Sequence, residues 1–121
     1  MNADIAIFER LEASFSNVYM NKFPQSVNLN ESSAKTLVKN ISQIKTDDKD
    51  KSGRYEVIYR VESVGNNYKN VKTRAKEIRD NLLNYTNTYI YLSTFDGEVY
   101  DTNETAEIHR VITDFRTFIN Y

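Results

Sequence analysis

The chain has 121 residues, of which 40% are hydrophobic and 12% aromatic, and its formal net charge is −1. This length and composition predict one folded α+β domain over residues 1–121 and argue against a disordered chain. Both signs of charge are mixed along the sequence, which argues against the concentrated basic face that sequence-specific nucleic-acid binding requires. Cysteine is absent, so disulfides and thiolate metal sites are excluded.

The N-terminal segment is predicted to form an amphipathic helix over residues 3–21. Pro24 is expected to end it, because the residue before a proline is pushed out of the helical region. A short strand is expected next, over residues 26–30. The segment lacks a basic start, and no apolar run is long enough to span a membrane. The apolar positions of the helix are Ile5, Phe8, Leu11, Phe15, Val18 and Tyr19.

Residues 31–46 fit two secondary structures. Leu37 and Ile41 lie at helical spacing, but β-branched residues such as Val38 suit a strand, and short apolar runs do not settle the choice. We favour a strand over residues 36–46, because the segment precedes another strand.

A strand followed by a helix is the clearest pattern in the chain. Residues 55–64 alternate between an apolar and a polar face, which is typical of a strand with one buried side. Residues 65–67 (Gly-Asn-Asn) tolerate positive φ and are expected to stop this strand. A helix then follows. Its apolar stripe consists of Val71, Ala75, Ile78 and Leu82.

The C-terminal third is predicted to be strands. Residues 88–95 are apolar on both faces, as in an interior strand. Asp96-Gly97 indicates a hairpin, with a return strand starting at 98–101. A long final strand then alternates around Phe115. The expected fold is α+β: a mixed, largely antiparallel sheet with the N-terminal and central helices packed on one face.

Three groups of residues are candidates for catalysis or metal binding. The motif from Asp48 to Gly53 matches the first half of a calcium loop, but Tyr59 stands where the bidentate glutamate would be. His109 is the one histidine, and no pattern supplies a partner for general-base work. The acids around the predicted hairpin suggest a metal-dependent enzyme, which stays open as an alternative function. They are Asp96, Asp101, Glu104 and Glu107.

The order of these elements resembles the tail terminator and minor capsid (tail-completion) proteins of long-tailed bacteriophages. The resemblance is carried by the N-terminal helix ending near Pro24 and the charged loop at 45–53, followed by four segments. These segments are RYEVIYRVES (54–63), VKTRAKEIRDNLL (71–83), YIYLS (89–93) and HRVITDFRTFI (109–119). Together they span most of the chain.

The resemblance implies a structural role with neither a reaction nor a cofactor. Such proteins form a hexameric ring that caps the tail tube, stops its elongation and provides the surface that joins the head. It therefore implies contacts with its own copies, the tail tube protein and a head-completion protein. A head-completion or connector protein is the alternative within virions. The implied location is the host cytoplasm during assembly and then the virion tail.

We expect the subunit contacts of such a ring to involve the 45–53 loop and the excess tyrosines. Tyrosine suits interfaces because it combines a large apolar ring with a hydrogen-bonding hydroxyl. The candidate interface residues are Lys49, Asp50, Lys51, Arg54, Tyr89, Tyr91 and Tyr100.

Overall fold

The computed structural model of the protein describes residues 3–45, 54–86, 90–103 and 107–120. Two helices and a five-stranded sheet make up this part of the chain. The elements are α1 (Ala3–Ser14), β1 (Val18–Met20), β2 (Lys35–Lys45), β3 (Arg54–Gly65), α2 (Tyr68–Leu82), β4 (Ile90–Asn103) and β5 (Ile108–Asn120). The strand order is β1-β2-β3-β5-β4. Because β1 runs parallel to β2 and the other pairs are antiparallel, the predicted mixed α+β fold is confirmed.

β3 is the middle strand of the sheet, as its alternating sequence allows. It pairs with β5 along its whole length, from Arg54 opposite Asn120 to Gly65 opposite His109, and with β2 on its other side. One face of β3 and β5 is apolar and buried, which confirms the predicted alternation of both strands. The buried residues on this face include Val57, Tyr59, Val61, Val111, Phe115 and Ile119.

Both helices cover that apolar face. α2 buries the four residues of its predicted stripe, from Val71 to Leu82. The helix begins at Tyr68, after the predicted end of the strand, and the side chain of Asn67 accepts a hydrogen bond from the backbone N–H of Asn70, which caps the first turn. α1 joins the same core through Ala3, Ala6, Ile7 and Leu11. None of the described helices is long and apolar enough to cross a membrane.

Polar contacts join the helices to the sheet, to each other and to the bend before β1. The hydroxyl of the buried Tyr59 donates to the carboxylate of Asp4 in α1. The Arg10 guanidinium donates to the backbone carbonyl of Asn81 at 2.8 Å. Arg74 of α2 donates to the carbonyl of Ser16 at 2.9 Å, and burial of this guanidinium lowers its pKa below the ordinary value.

The first helix is shorter than predicted. α1 ends at Ser14, and residues 18–20 form β1 instead of a further helical turn. Asn17, in the bend between α1 and β1, adopts a φ of 58°, which is outside the helical region of backbone conformation. The stripe is also displaced, because Ile5 is 45% exposed while Ala6 and Ile7 face the core.

The predicted strand at residues 26–30 is wrong, whereas the one at 36–46 is confirmed as β2. Residues 21–34 are turns and bends; Val27 N–H, for example, donates to the Pro24 carbonyl.

The end of the segment 21–34 lies against the end of β3, where Asn66 N–H donates to the Glu31 carbonyl at 2.8 Å. A Cβ at Gly65 would lie 3.1 Å from that same oxygen, so glycine permits the close approach.

The predicted hairpin at Asp96-Gly97 is also wrong. β4 continues through both residues, and its pairing with β5 shifts register between Phe95 and Gly97. The extra residue is absorbed as a β-bulge because β5 is long enough to pair with both halves of β4. The expected interior position of this strand is wrong too, since β4 lies at an edge of the sheet.

We predict that Leu82→Ala lowers the free energy of unfolding by about 2–5 kcal/mol, because it leaves a cavity under α2. Its neighbour provides a matched control: Leu82 is fully buried, whereas Leu83 is 42% exposed. Leu83→Ala should change the free energy by less than about 0.5 kcal/mol. Urea denaturation followed by circular dichroism measures both, and equal losses would contradict this packing.

Candidate protein–protein interface

From Gly97 to Asn103, the outer edge of β4 is an edge of the described sheet. β4 pairs with β5 on one side, and no described strand lies on its other side. Such an edge presents unpaired backbone N–H and C=O groups to a partner. Its apolar side chains are partly uncovered as well: Val99 is 60% exposed, and Phe95 and Tyr100 are also exposed. The edge therefore has the properties of a protein-binding surface.

Tyr100, one of the predicted interface residues, is held in place by an aromatic cluster. Its hydroxyl lies 2.7 Å from Nδ1 of His109 on β5, and the two rings stack with centroids 6.0 Å apart. Tyr68 of α2 packs edge-on against Tyr100, with centroids 5.2 Å apart. These contacts fix the Tyr100 ring at the sheet edge, so His109 serves here to position an exposed aromatic side chain.

The sheet face opposite the helices carries charged side chains that pair across strands. Arg60 of β3 makes two hydrogen bonds to Asp114 of β5, at 2.9 and 3.1 Å. These bonds raise the pKa of the Arg60 guanidinium above its ordinary value. Bidentate pairs of this kind fix both side chains in one geometry, which keeps the exposed sheet face in a defined shape.

Two three-charge clusters flank this pair. Glu62 lies between Lys39 of β2, at 2.9 Å, and Arg110 of β5, at 3.4 Å. Arg116 lies between Glu56 of β3, at 3.1 Å, and Asp96 of β4, at 3.4 Å. The cluster near β2 therefore has one positive charge in excess, whereas the cluster near β4 has one negative charge in excess.

A groove of about 620 Å³ runs between α2 and β4. Lys72 bridges it at one point, with its ammonium 3.0 Å from the Glu98 carboxylate. Arg79 lies over the Phe95 ring, 5.4 Å from its centroid. Because most of its lining residues are charged (Lys72, Lys76, Glu77, Arg79, Asp80 and Glu98), the groove differs from the mostly apolar pockets that bind small molecules.

The predicted interface residues are only partly placed by the structure. Tyr100 lies exposed on the β4 edge. Arg54 begins β3 and Tyr91 lies in β4, so the backbone of each belongs to the sheet. Four of these residues lie outside the described part of the chain, as does the whole calcium-like motif at 48–53; the four are Lys49, Asp50, Lys51 and Tyr89.

The acids considered for a metal site are spread along the described structure. Asp96, in the middle of β4, contacts Arg116. Asp101 lies near Arg110, towards the C-terminal end of β4. Glu107 occupies the turn before β5, with a φ of 55°. Glu104 lies outside the described residues. Within residues 3–45, 54–86, 90–103 and 107–120, no three His, Asp or Glu side chains are grouped closely enough to hold a metal ion.

The charge clusters were not predicted from the sequence. The alternation of Glu56, Arg60 and Glu62 places charges on one face of β3, but it does not reveal which strand lies beside them. Pairing of β3 with β5 brings Glu62 next to Arg110, and this depends on a register over about 50 residues of chain. The sequence does show charges of opposite sign on the polar faces of both strands, and this pattern was the available sign that the two strands could pair.

The fold is shared with a virion protein. No protein-family model matches this chain, and no curated protein matches it by sequence. Among solved structures, it is similar to a chain of the "virion of native gene transfer agent (GTA) particle", with a TM-score of 0.76 and 13% identity. The similarity covers 95% of this chain and 92% of that chain. At this identity, the likeness establishes the common fold.

We predict that Glu62→Gln lowers the free energy of unfolding by about 1–3 kcal/mol, because it removes the carboxylate between Lys39 and Arg110. The Glu62 side chain is 6% exposed, so water does not replace the lost contacts. Glu77→Gln, on the exposed side of α2, is the matched control and should have almost no effect. If urea denaturation gives the same midpoint for both variants, the cluster contributes no stability.

Proposed function

We propose that the protein is a structural component of a phage-like virion and acts as a tail terminator. In this role, copies of the chain form a ring, a hexamer by the resemblance, on the end of the tail tube. The ring stops addition of tube subunits and offers its far side to a head-completion protein. The partners are thus its own copies, the tube protein and the neighbouring head-completion protein.

The observation that carries this proposal is the full-length match to a chain of the gene transfer agent virion. Nearly the whole of each chain is included, at a TM-score of 0.76. The two chains thus share the complete arrangement of helices and sheet and not just one common motif. The sequence resemblance to tail terminators, which rests on the order of the elements, is the second support for this proposal.

The surface chemistry is compatible with an assembly role. A ring requires two different patches on each subunit, since each copy contacts one neighbour with its first patch and another with its second. The sheet has two different edges, β4 at one end and β1 with part of β2 at the other. Exposed aromatic and aliphatic side chains on β4 add the apolar contacts that stable interfaces use.

We predict that particles made without this protein have tail tubes of abnormal and often excessive length, since no ring stops their growth. Electron microscopy of lysates from a host whose phage or prophage lacks the gene measures the tube lengths. Supplying the wild-type protein from a plasmid is the control and should restore uniform tails.

The same experiment separates the other possibilities. Tubes of normal length that remain detached from filled heads would indicate a head-completion or connector role instead. Complete and infectious particles without the protein would overturn the proposal of a structural role altogether.

A further inference from the structure

The two free edges of the sheet differ in charge. β4 contains Asp96, Glu98 and Asp101 and has no lysine or arginine. Beyond the residues that β1 covers, β2 contains Lys39 and Lys45 and has no acidic residue; its first lysine, Lys35, is buried and paired with Glu31.

Part of β2 is itself an edge. β1 covers just three residues of it, from Thr36 to Val38, so no described strand lies beside the remainder of β2. Ile41 is exposed there, at the bulge between Asn40 and Ser42. After the bulge, β2 is regular from Ser42 to Lys45. The opposite edge has a longer regular run, from Gly97 to Asn103 of β4.

Bulges and edge lysines often protect a sheet from pairing with other molecules. In this sheet, the charges of the two edges also bear on which edge can pair with which. Two β4 edges placed together would bring acid towards acid, and two β2 edges would bring lysine towards lysine; both arrangements are disfavoured by like charge. A β4 edge facing a β2 edge joins opposite charges, and its contact surfaces differ, as a ring requires.

We propose that the acidic β4 edge of one copy pairs with the free, basic part of β2 in the next copy, so that the sheet continues from subunit to subunit. The regular runs after each bulge supply the backbone hydrogen bonds, and Val99 and Ile41 supply apolar contact. This inference rests on the proposed ring, and it names the surfaces that close it.

Charge reversal tests the pairing. Glu98→Lys and Lys45→Glu should each weaken self-association about tenfold or more, because each places like charges at the contact. An equal mixture should associate nearly as well as the wild type, since each variant then meets an opposite charge at both of its edges. Sedimentation velocity at low and high salt measures these changes, and the wild-type contact should weaken in high salt.

Lys72→Gln is the matched control for this experiment. It breaks the same intrachain ion pair as Glu98→Lys but leaves the acidic edge of β4 unchanged, so self-association should be unaffected. Glu77→Lys, on an exposed position of α2, controls for an added positive charge that lies in neither edge strand. If the edge variants associate as well as these controls, the proposed pairing is wrong.

Cross-linking tests the contact even if the ring forms weakly in solution. The chain has no cysteine, so introduced thiols have no competitors. Ser42→Cys would be combined in turn with Gly97→Cys, Val99→Cys or Asp101→Cys, whose positions lie on the same sheet face by register. At least one pair should come within the Cα separation of about 4.4–6.8 Å that a disulfide requires.

Mild oxidation of the correct pair should give a ladder of dimers, trimers and larger species, whereas either single variant stops at dimers. Ser42→Cys with Lys76→Cys on α2 is the background control. A ladder without any effect of the protein on tube length would leave the pairing intact and overturn the tail-terminator role. Normal tail termination without a ladder above background would overturn the pairing and leave the role.

Discussion

The burial of one face of β3 is the constraint on which the rest of the structure depends. β3 pairs with β2 and β5, so the position of every other strand is set directly or indirectly by its register. Val57, Tyr59 and Val61 on its apolar face form the surface on which both helices pack. The opposite face is thereby left for charged residues, and the two ends of the sheet are left as edges. The surfaces available for assembly follow from this arrangement.

The elements with one buried face were predictable from sequence. In β3, α2 and β5, hydrophobic residues recur at one constant spacing, because one side of each element faces the core. The predictions were wrong where contacts between distant parts of the chain, or an unusual backbone conformation, determined the structure. The chain leaves the helix at Ser14 and bends at Asn17, which has a positive φ, before β1, and the pairing with β5 converts a strong turn sequence at Gly97 into a bulge. Tyr100 was predicted as an interface residue from its residue type and lies exposed on β4, whereas the Glu62 cluster depends on strand register.

The separation of charge between the edges has a consequence for assembly. A monomer gains little from the exposed acids of β4, since ion pairs at the surface contribute about 0–1 kcal/mol. Under the proposed pairing, the same charges disfavour two-fold contacts and favour the head-to-tail arrangement. The comparison with the gene transfer agent virion establishes a common fold, and the charge pattern of the edges gives the proposed ring its direction.

Hydrogen exchange of the assembled and dissociated protein tests the central claim most directly, because it detects new backbone hydrogen bonds residue by residue. The account predicts that amides of Gly97–Asn103 and Ser42–Lys45 exchange more slowly on assembly, while exposed residues of α2 such as Lys76 are unchanged. Slower exchange confined to the helices, with both strand edges unaffected, would contradict a sheet that continues between subunits.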